Sequence, residues 1–295
     1  MNYRTLGRSG FSISEIGFGC MSLKNDDNEN ARIIHHAIDN GINFFDTADL
    51  YDKGGNETTV GKAIKQKRSH VILATKVGNQ WRADGSGWDW NPRKAYILDA
   101  FYKSLERLQT DYIDLYQLHG GTIDDPIDET IEAFEILKQQ GKIRQYGISS
   151  IRPNVIREYI KRSSITSVMM QYSLLDRRPE ESCLDLLKEN KIGVLARGSL
   201  AQGLLVDKPA KEYLGHPAEA VSKAAAAIHS ISTTERTPAQ TAIGFVLQHP
   251  AVTSAVVGIR TMEQLKAALT VSPLNKDEAL SLQSSVEQII YKDHR

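Results

Sequence analysis

At 295 residues the chain is long enough for two domains or for one large α/β unit. Its 36 basic and 36 acidic side chains cancel to a net charge of zero, which argues against nucleic acid or an anionic membrane as a partner. No apolar run reaches the ~18 residues of a membrane span, and the first residues carry no apolar signal core. Cys20 and Cys183 stand far apart without metal-ligand spacing, so buried free thiols in a reducing, cytoplasmic setting are expected.

In chain order, residues 2–14 read as a hairpin turning at Arg8, Ser9 and Gly10. A regular alternation follows. Ile16–Cys20 reads as a strand, and Asn28–Asn40 as a helix stopped by Gly41. Strands over Ile42–Phe45, Val71–Thr75, Ile113–Leu118, Ile143–Ile148, Ser167–Met170, Ile192–Ala196 and Ala255–Val257 come next. Helices are expected between them, over Glu57–Lys67, Pro92–Leu108, Pro126–Gln140, from Pro153, over Pro179–Asn190 and over Pro238–Gln248. Two more close the chain, Met262–Leu269 and Lys276–Ile290. Residues 79–91 read as a loop, and Ser199–Thr237 as a long excursion containing an alanine-rich helix over Val221–Ile231.

Eight short strands, apolar on both faces and alternating with helices, predict a single (β/α)8 barrel over residues 1–295. An open doubly wound sheet is the alternative. Gly17 and Gly19 lack the third glycine that a dinucleotide-binding turn of that fold would need.

A barrel carries its chemistry where its strands end. The second strand ends on Asp46, with Tyr51 five residues on, the third on Lys76 and the fourth on His119. The fifth ends on Ser149 and Ser150, the sixth on Gln171, the seventh on Arg197, and the eighth runs out through Gly258 to Arg260. Taken singly these have plain explanations: Asp46 with Lys76 as a structural ion pair, Tyr51 and His119 as packing residues. Together they form a site suited to carbonyl reduction. A phenol can hand its proton to a developing alkoxide, an adjacent ammonium favours the phenolate left behind, and an imidazole can bond the same oxygen. A carboxylate keeps the ammonium charged and in place.

These stretches resemble the aldo-keto reductase superfamily over nearly the whole chain. The likeness runs through the hairpin Arg4–Gly10, through Gly41–Tyr51, Ala74–Lys76 and Asp111–His119, and on through Gly141–Ser149 and Gln171–Ser173. It implies a catalytic tetrad of Asp46, Tyr51, Lys76 and His119, with Tyr51 as proton donor, and NADPH/NADP+ across the barrel mouth with no metal. Ser149, Ser150 and Gln171 would hold the nicotinamide carboxamide. Ser199, Leu200, Gly203 and Leu205 would wrap the pyrophosphate, and Gly258, Arg260 and Gln264 would meet the adenosine phosphate.

The pattern departs from the family at three positions. Ser150 stands where an asparagine is usual, and Ala268 where an adenine-contacting asparagine is usual. Arg197 stands where an aromatic usually stacks on the nicotinamide; it either disfavours the cationic oxidised ring, pairs with a phosphate or carboxylate, or turns away. Trp81 and Trp88 are candidates for an aromatic wall around a small carbonyl substrate. Two other functions fit the same fold: a cofactor-binding redox-sensing or auxiliary subunit, and a lyase or isomerase using Lys76 in a Schiff base. The second would need an unpaired lysine, which Asp46 opposes.

Overall fold

The computed structural model describes all 295 residues. A two-stranded hairpin, β1 (Tyr3–Thr5) and β2 (Ser12–Ser14), precedes eight parallel strands that close into a barrel. Around the barrel they run β3 (Ile16–Gly19), β4 (Phe44–Asp46), β5 (Ile72–Val77), then β8 (Ile113–Leu118) and β9 (Ile143–Ser149). β10 (Ser167–Gln171), β11 (Gly193–Arg197) and β12 (Val252–Gly258) complete the circuit, and β12 pairs back onto β3. The expected (β/α)8 barrel with its N-terminal hairpin is therefore present.

Outside the strands lie α1 (Asp27–Asp39), α2 (Gly55–Ile64), α3 (Lys94–Leu108), α4 (Ile127–Gln139), α5 (Pro153–Arg162) and α6 (Cys183–Glu189). They continue with α7 (Ala218–Ile231), α8 (Pro238–Leu247), α9 (Met262–Leu269) and α10 (Lys276–Ser284). None is long and apolar enough to cross a membrane.

Strand alternation sorts the side chains into two cores. Phe44, Ala74, Leu115, Met169, Leu195 and Val256 fill the barrel interior, and Leu6 and Ile13 of the hairpin close its floor. Gly17 belongs to that interior because any Cβ there would sit 2.8 Å from the Phe44 ring. Alternate residues such as Phe45, Leu73, Tyr116 and Leu118 face the helices and join a much larger cluster. The floor is tied down by Arg4, which bonds Glu15 (2.5 Å) and the carbonyls of Val252 (2.7 Å) and Leu247 (2.9 Å).

Three expectations change. The segment read as a loop over 79–91 holds an antiparallel hairpin, β6 (Asn79–Trp81) with β7 (Trp88–Trp90), turned by Gly85 at φ 71°. The last helix stops at Ser284 instead of Ile290. Arg177 draws off the Gln283 carbonyl (3.1 Å) and accepts Gln288 on its own carbonyl (3.0 Å), so the tail leaves the helix to lie on the barrel. The eighth strand runs from Val252 to Gly258, well beyond Ala255–Val257.

Helices α2 and α3 approach closely at Gly61, where a Cβ would lie 2.6 Å from the backbone carbonyl of Leu108. Backbone cannot yield as a flexible side chain can. Gly61→Ala is expected to lower unfolding free energy by about 1–3 kcal/mol, measured by urea titration.

Candidate active site

Alternation carries the chemistry upward from the apolar interior. Two residues above Phe44 comes Asp46, two above Ala74 comes Lys76, and two above Leu115 comes Gln117, followed by His119. The apolar plug below removes water, so Asp46 and Lys76 are almost wholly buried.

The Lys76 Nζ donates to Asp46 Oδ2 (2.7 Å), to the Thr47 carbonyl (2.7 Å) and to the Tyr51 hydroxyl (3.3 Å). Three acceptors for one nitrogen match the three protons of an ammonium. Burial alone would drive Lys76 toward the neutral amine, but Asp46 and then Tyr51 outweigh it and hold the side chain cationic. Burial works in the opposite sense on Asp46, raising it against the pull of Lys76. The geometry favours the charged pair, because Asp46 Oδ1 also faces the Gln117 amide at 3.4 Å.

Tyr51 is delivered by a tight turn after β4, its amide bonded to the Ala48 carbonyl (3.2 Å). The chain then passes through left-handed residues, Asp52 (φ 49°), Lys53 (φ 51°) and Gly54 (φ 88°). For the two non-glycines this costs about 1–3 kcal/mol each. Contacts brace it: Lys53 lies over the Trp81 ring at 5.2 Å, and Trp81 Nε1 donates to the Leu50 carbonyl (3.2 Å). The Tyr51 and His119 rings meet edge to face with centroids 5.8 Å apart. His119 is pushed down to about 3 by burial first, then by the charges of Lys76 and Arg197, so it is neutral at ordinary pH. Its Nδ1 is buried without a partner in the chain.

The other expected positions ring the same mouth. Ser149 and Ser150 are buried at the end of β9. Arg197 does not turn away: its Nη1 donates to Gln171 Oε1 (3.1 Å), and its charge reaches Asp46 and His119. Gln171 in turn donates to Asp176 (2.9 Å) and to the Tyr213 hydroxyl (3.2 Å).

Ser199 is buried with an unpartnered hydroxyl, beside a strained turn at Ala201 (φ 46°), Gln202 (φ 60°) and Gly203 (φ 91°). Leu200 is half-buried there and Leu205 buried. Gly258 and Arg260 are exposed, and Gln264 caps α9 by accepting the Arg260 amide (3.0 Å). Arg197, Lys208 and Arg260 form no ion pair with any carboxylate. Uncompensated cations and an unpartnered buried hydroxyl in the segments that follow β11 and β12 fit a polyanionic dinucleotide.

A cleft of about 440 Å³ opens beside Tyr51, walled by Met21, Leu23 and Leu50 and by polar Lys24, Asp52 and Asn56. Trp81 stands behind Leu50 and Trp88 is exposed; neither lines this cleft. Sequence reasoning passed over Gln117, whose signal was its place two residues before His119 on the inward face. It also passed over Tyr213, for which no local signal existed.

The fold and site together define a (β/α)8 barrel with a buried acid–amine pair and a half-buried phenol and imidazole at its mouth, with unpaired cations after β11 and β12. The chain belongs to the aldo/keto reductase family, whose model matches residues 15–287. It is 51% identical to the uncharacterized oxidoreductase YqkF of Bacillus subtilis, with full coverage of both chains. It is 38% identical to the aldo-keto reductase YhdN of the same organism, over 72% of this chain and 66% of that one. Among solved structures it matches the holo form of the aldo-keto reductase AKR11C1 from Bacillus halodurans at TM-score 0.93 and 50% identity, covering 100% of this chain and 99% of that one. An aldo/keto reductase from Klebsiella pneumoniae, solved with NADP and acetate, matches at TM-score 0.77 and 27% identity over 99% of each chain. Membership makes this an oxidoreductase fold for carbonyl chemistry, in a family that binds a nicotinamide cofactor.

Because Lys76 is buried, its charge is tolerated only while Asp46 answers it. Asp46→Asn should lower stability by about 3–5 kcal/mol in denaturant unfolding, far more than an exposed ion pair would cost.

Proposed function

We propose that the chain acts as one barrel domain that reduces an aldehyde or ketone to the alcohol with NADPH, Tyr51 giving the proton. The observation that carries this reading is the direction of one hydrogen bond. The Tyr51 hydroxyl accepts from the Lys76 ammonium, so its own proton is free for a carbonyl oxygen. Proton transfer leaves a phenolate next to an ammonium 3.3 Å away, and Asp46 and the Thr47 carbonyl keep that ammonium in position. His119, held neutral, has one ring N–H to offer the same oxygen.

Bound nicotinamide supplies the hydride. Ser149, Ser150 and Gln171 would hold its carboxamide, Ser199 and the Leu200–Leu205 turn its pyrophosphate, and Arg260 with Gln264 the adenosine phosphate. The cleft beside Tyr51 has room for a small carbonyl substrate.

Tyr51→Phe is expected to cut carbonyl reduction by about 10²–10⁴-fold, followed as loss of NADPH absorbance, while NADPH still binds in a fluorescence titration. Retained turnover would overturn the assignment of the donor. If Arg260 reads the 2′-phosphate, Arg260→Ala should lower kcat/KM for NADPH about tenfold or more and leave that for NADH nearly unchanged. Equal losses with both cofactors would remove Arg260 from that role.

A further inference from the structure

Between Asp46 and Tyr51 lies a second acid that the mechanism does not use. Asp49 is buried, and neither of its carboxyl oxygens has a well-formed hydrogen bond, the Leu50 amide being the one donor close enough to act on it. Its backbone is tied into the site, since its amide donates to the carbonyl of Lys76 at 3.3 Å. Its charge would act on Tyr96 of α3 and Tyr116 of β8, two side chains that pack in the core between barrel and helices. The Tyr116 hydroxyl is likewise buried and unpartnered.

The charged groups facing Asp49 do not compensate it. Glu57 of α2 is the nearest in effect and repels a carboxylate. Arg107 of α3 and Lys76 of β5 attract it more weakly. Both cations are already committed: Arg107 bonds Glu57 at 2.7 Å, and Lys76 has spent all three protons. Thr75 (2.6 Å) and Ser104 (3.3 Å) also turn to Glu57. An ionised Asp49 would therefore be a buried charge with only the Leu50 amide as a donor to favour it, whereas a carboxylic acid carries no such cost. Burial, with Glu57 second, raises the group to about 8.

We propose that Asp49 is a positioning residue that works as the uncharged acid. Its packed carboxyl keeps the Asp46–Tyr51 turn down on Lys76, and its ionisation lifts that turn and withdraws Tyr51. The inference rests on Tyr51 as proton donor, but the position of the turn can be followed without turnover.

Two measurements on the full chain, wild type and Asp49→Asn, test it. In the pH–rate profile, wild-type kcat should fall above pH about 8, by about tenfold per further unit. Asp49→Asn, a neutral isostere, should keep turnover near neutral pH and move that limb to higher pH, where ionisation of the proton donor itself sets it. Hydrogen exchange at pH 9 should be faster over residues 46–54 in wild type than in Asp49→Asn. An unchanged limb, or equal exchange in the two proteins, would overturn the role. So would a large loss of turnover in Asp49→Asn at neutral pH. If wild type reduces no carbonyl at any pH, the proposed function fails while the exchange comparison still decides Asp49.

Discussion

The structure of the site depends on how one buried ammonium is satisfied. Removing Lys76 from water carries a penalty of several kcal/mol that only close acceptors can offset. All three acceptors come from a single six-residue stretch, Asp46 to Tyr51: one carboxylate, one backbone carbonyl and one phenol. The lysine therefore organises the turn as much as the turn holds the lysine. Tyr51 is placed by the need to complete the ammonium's shell, so its position and its closeness to a positive charge have one cause. The left-handed residues Asp52 and Lys53 are the strain that follows from bending the chain so sharply after Tyr51, and Trp81 answers part of it through Leu50 and Lys53.

That arrangement requires a dry floor and fixed strand parity. The hairpin supplies the floor through Leu6 and Ile13, and Arg4 fastens the hairpin to β12 and α8. Parity does the rest. A one-residue slip of β5 would turn Lys76 toward the helices and bring Thr75 inside. Such a slip is opposed outside the barrel, where Thr75 bonds Glu57 (2.6 Å) and Glu57 holds Arg107. At the other end Asp114, fully buried, accepts the Leu73 amide (3.0 Å) and both Arg68 (2.7 Å) and Arg144 (2.9 Å). The polar groups behind the sheet thus set the register that the inward-facing Lys76 requires.

What was legible in the sequence was what is local. Eight apolar runs ending on polar residues disclosed the barrel and the strand exits, because a strand end and its side chain are fixed by a few neighbouring residues. Tyr51 was legible because it lies in the same stretch as Asp46. The hairpin over β6 and β7 was read as loop, since its strands are only three residues each around a glycine-containing turn and draw their order from packing of Trp90 against Gly78 and Gly120. The C-terminal tail was read as helix because its amphipathic pattern continues past Ser284. Arg177, more than a hundred residues earlier, ends it, and no local signal could say so. Asp49 was in plain view within the stretch that carries the site, but its lack of a side-chain donor is a property of the folded surroundings alone.

The rim around Gln171 follows a different logic from the shell around Lys76. There the contacts run in series: Arg197 to Gln171, Gln171 to Asp176 and Tyr213, and Asp176 to Arg178 (2.7 Å). Tyr213 belongs to the long excursion after β11, closed locally by the Tyr213–His216 bridge and pinned where His216 meets the Leu175 carbonyl (3.1 Å). Gln171 therefore links the barrel mouth to the excursion, and its amide is fixed before any ligand contributes. The departures from the family pattern at Ser150 and Arg197 fall on this rim and that at Ala268 in α9, while every residue around the Lys76 ammonium matches it. A grip assembled in series can exchange one contact for another, as the Arg197–Gln171 bond does. A closed shell around a buried charge has no such freedom, because losing any one acceptor exposes the whole cost of the ion.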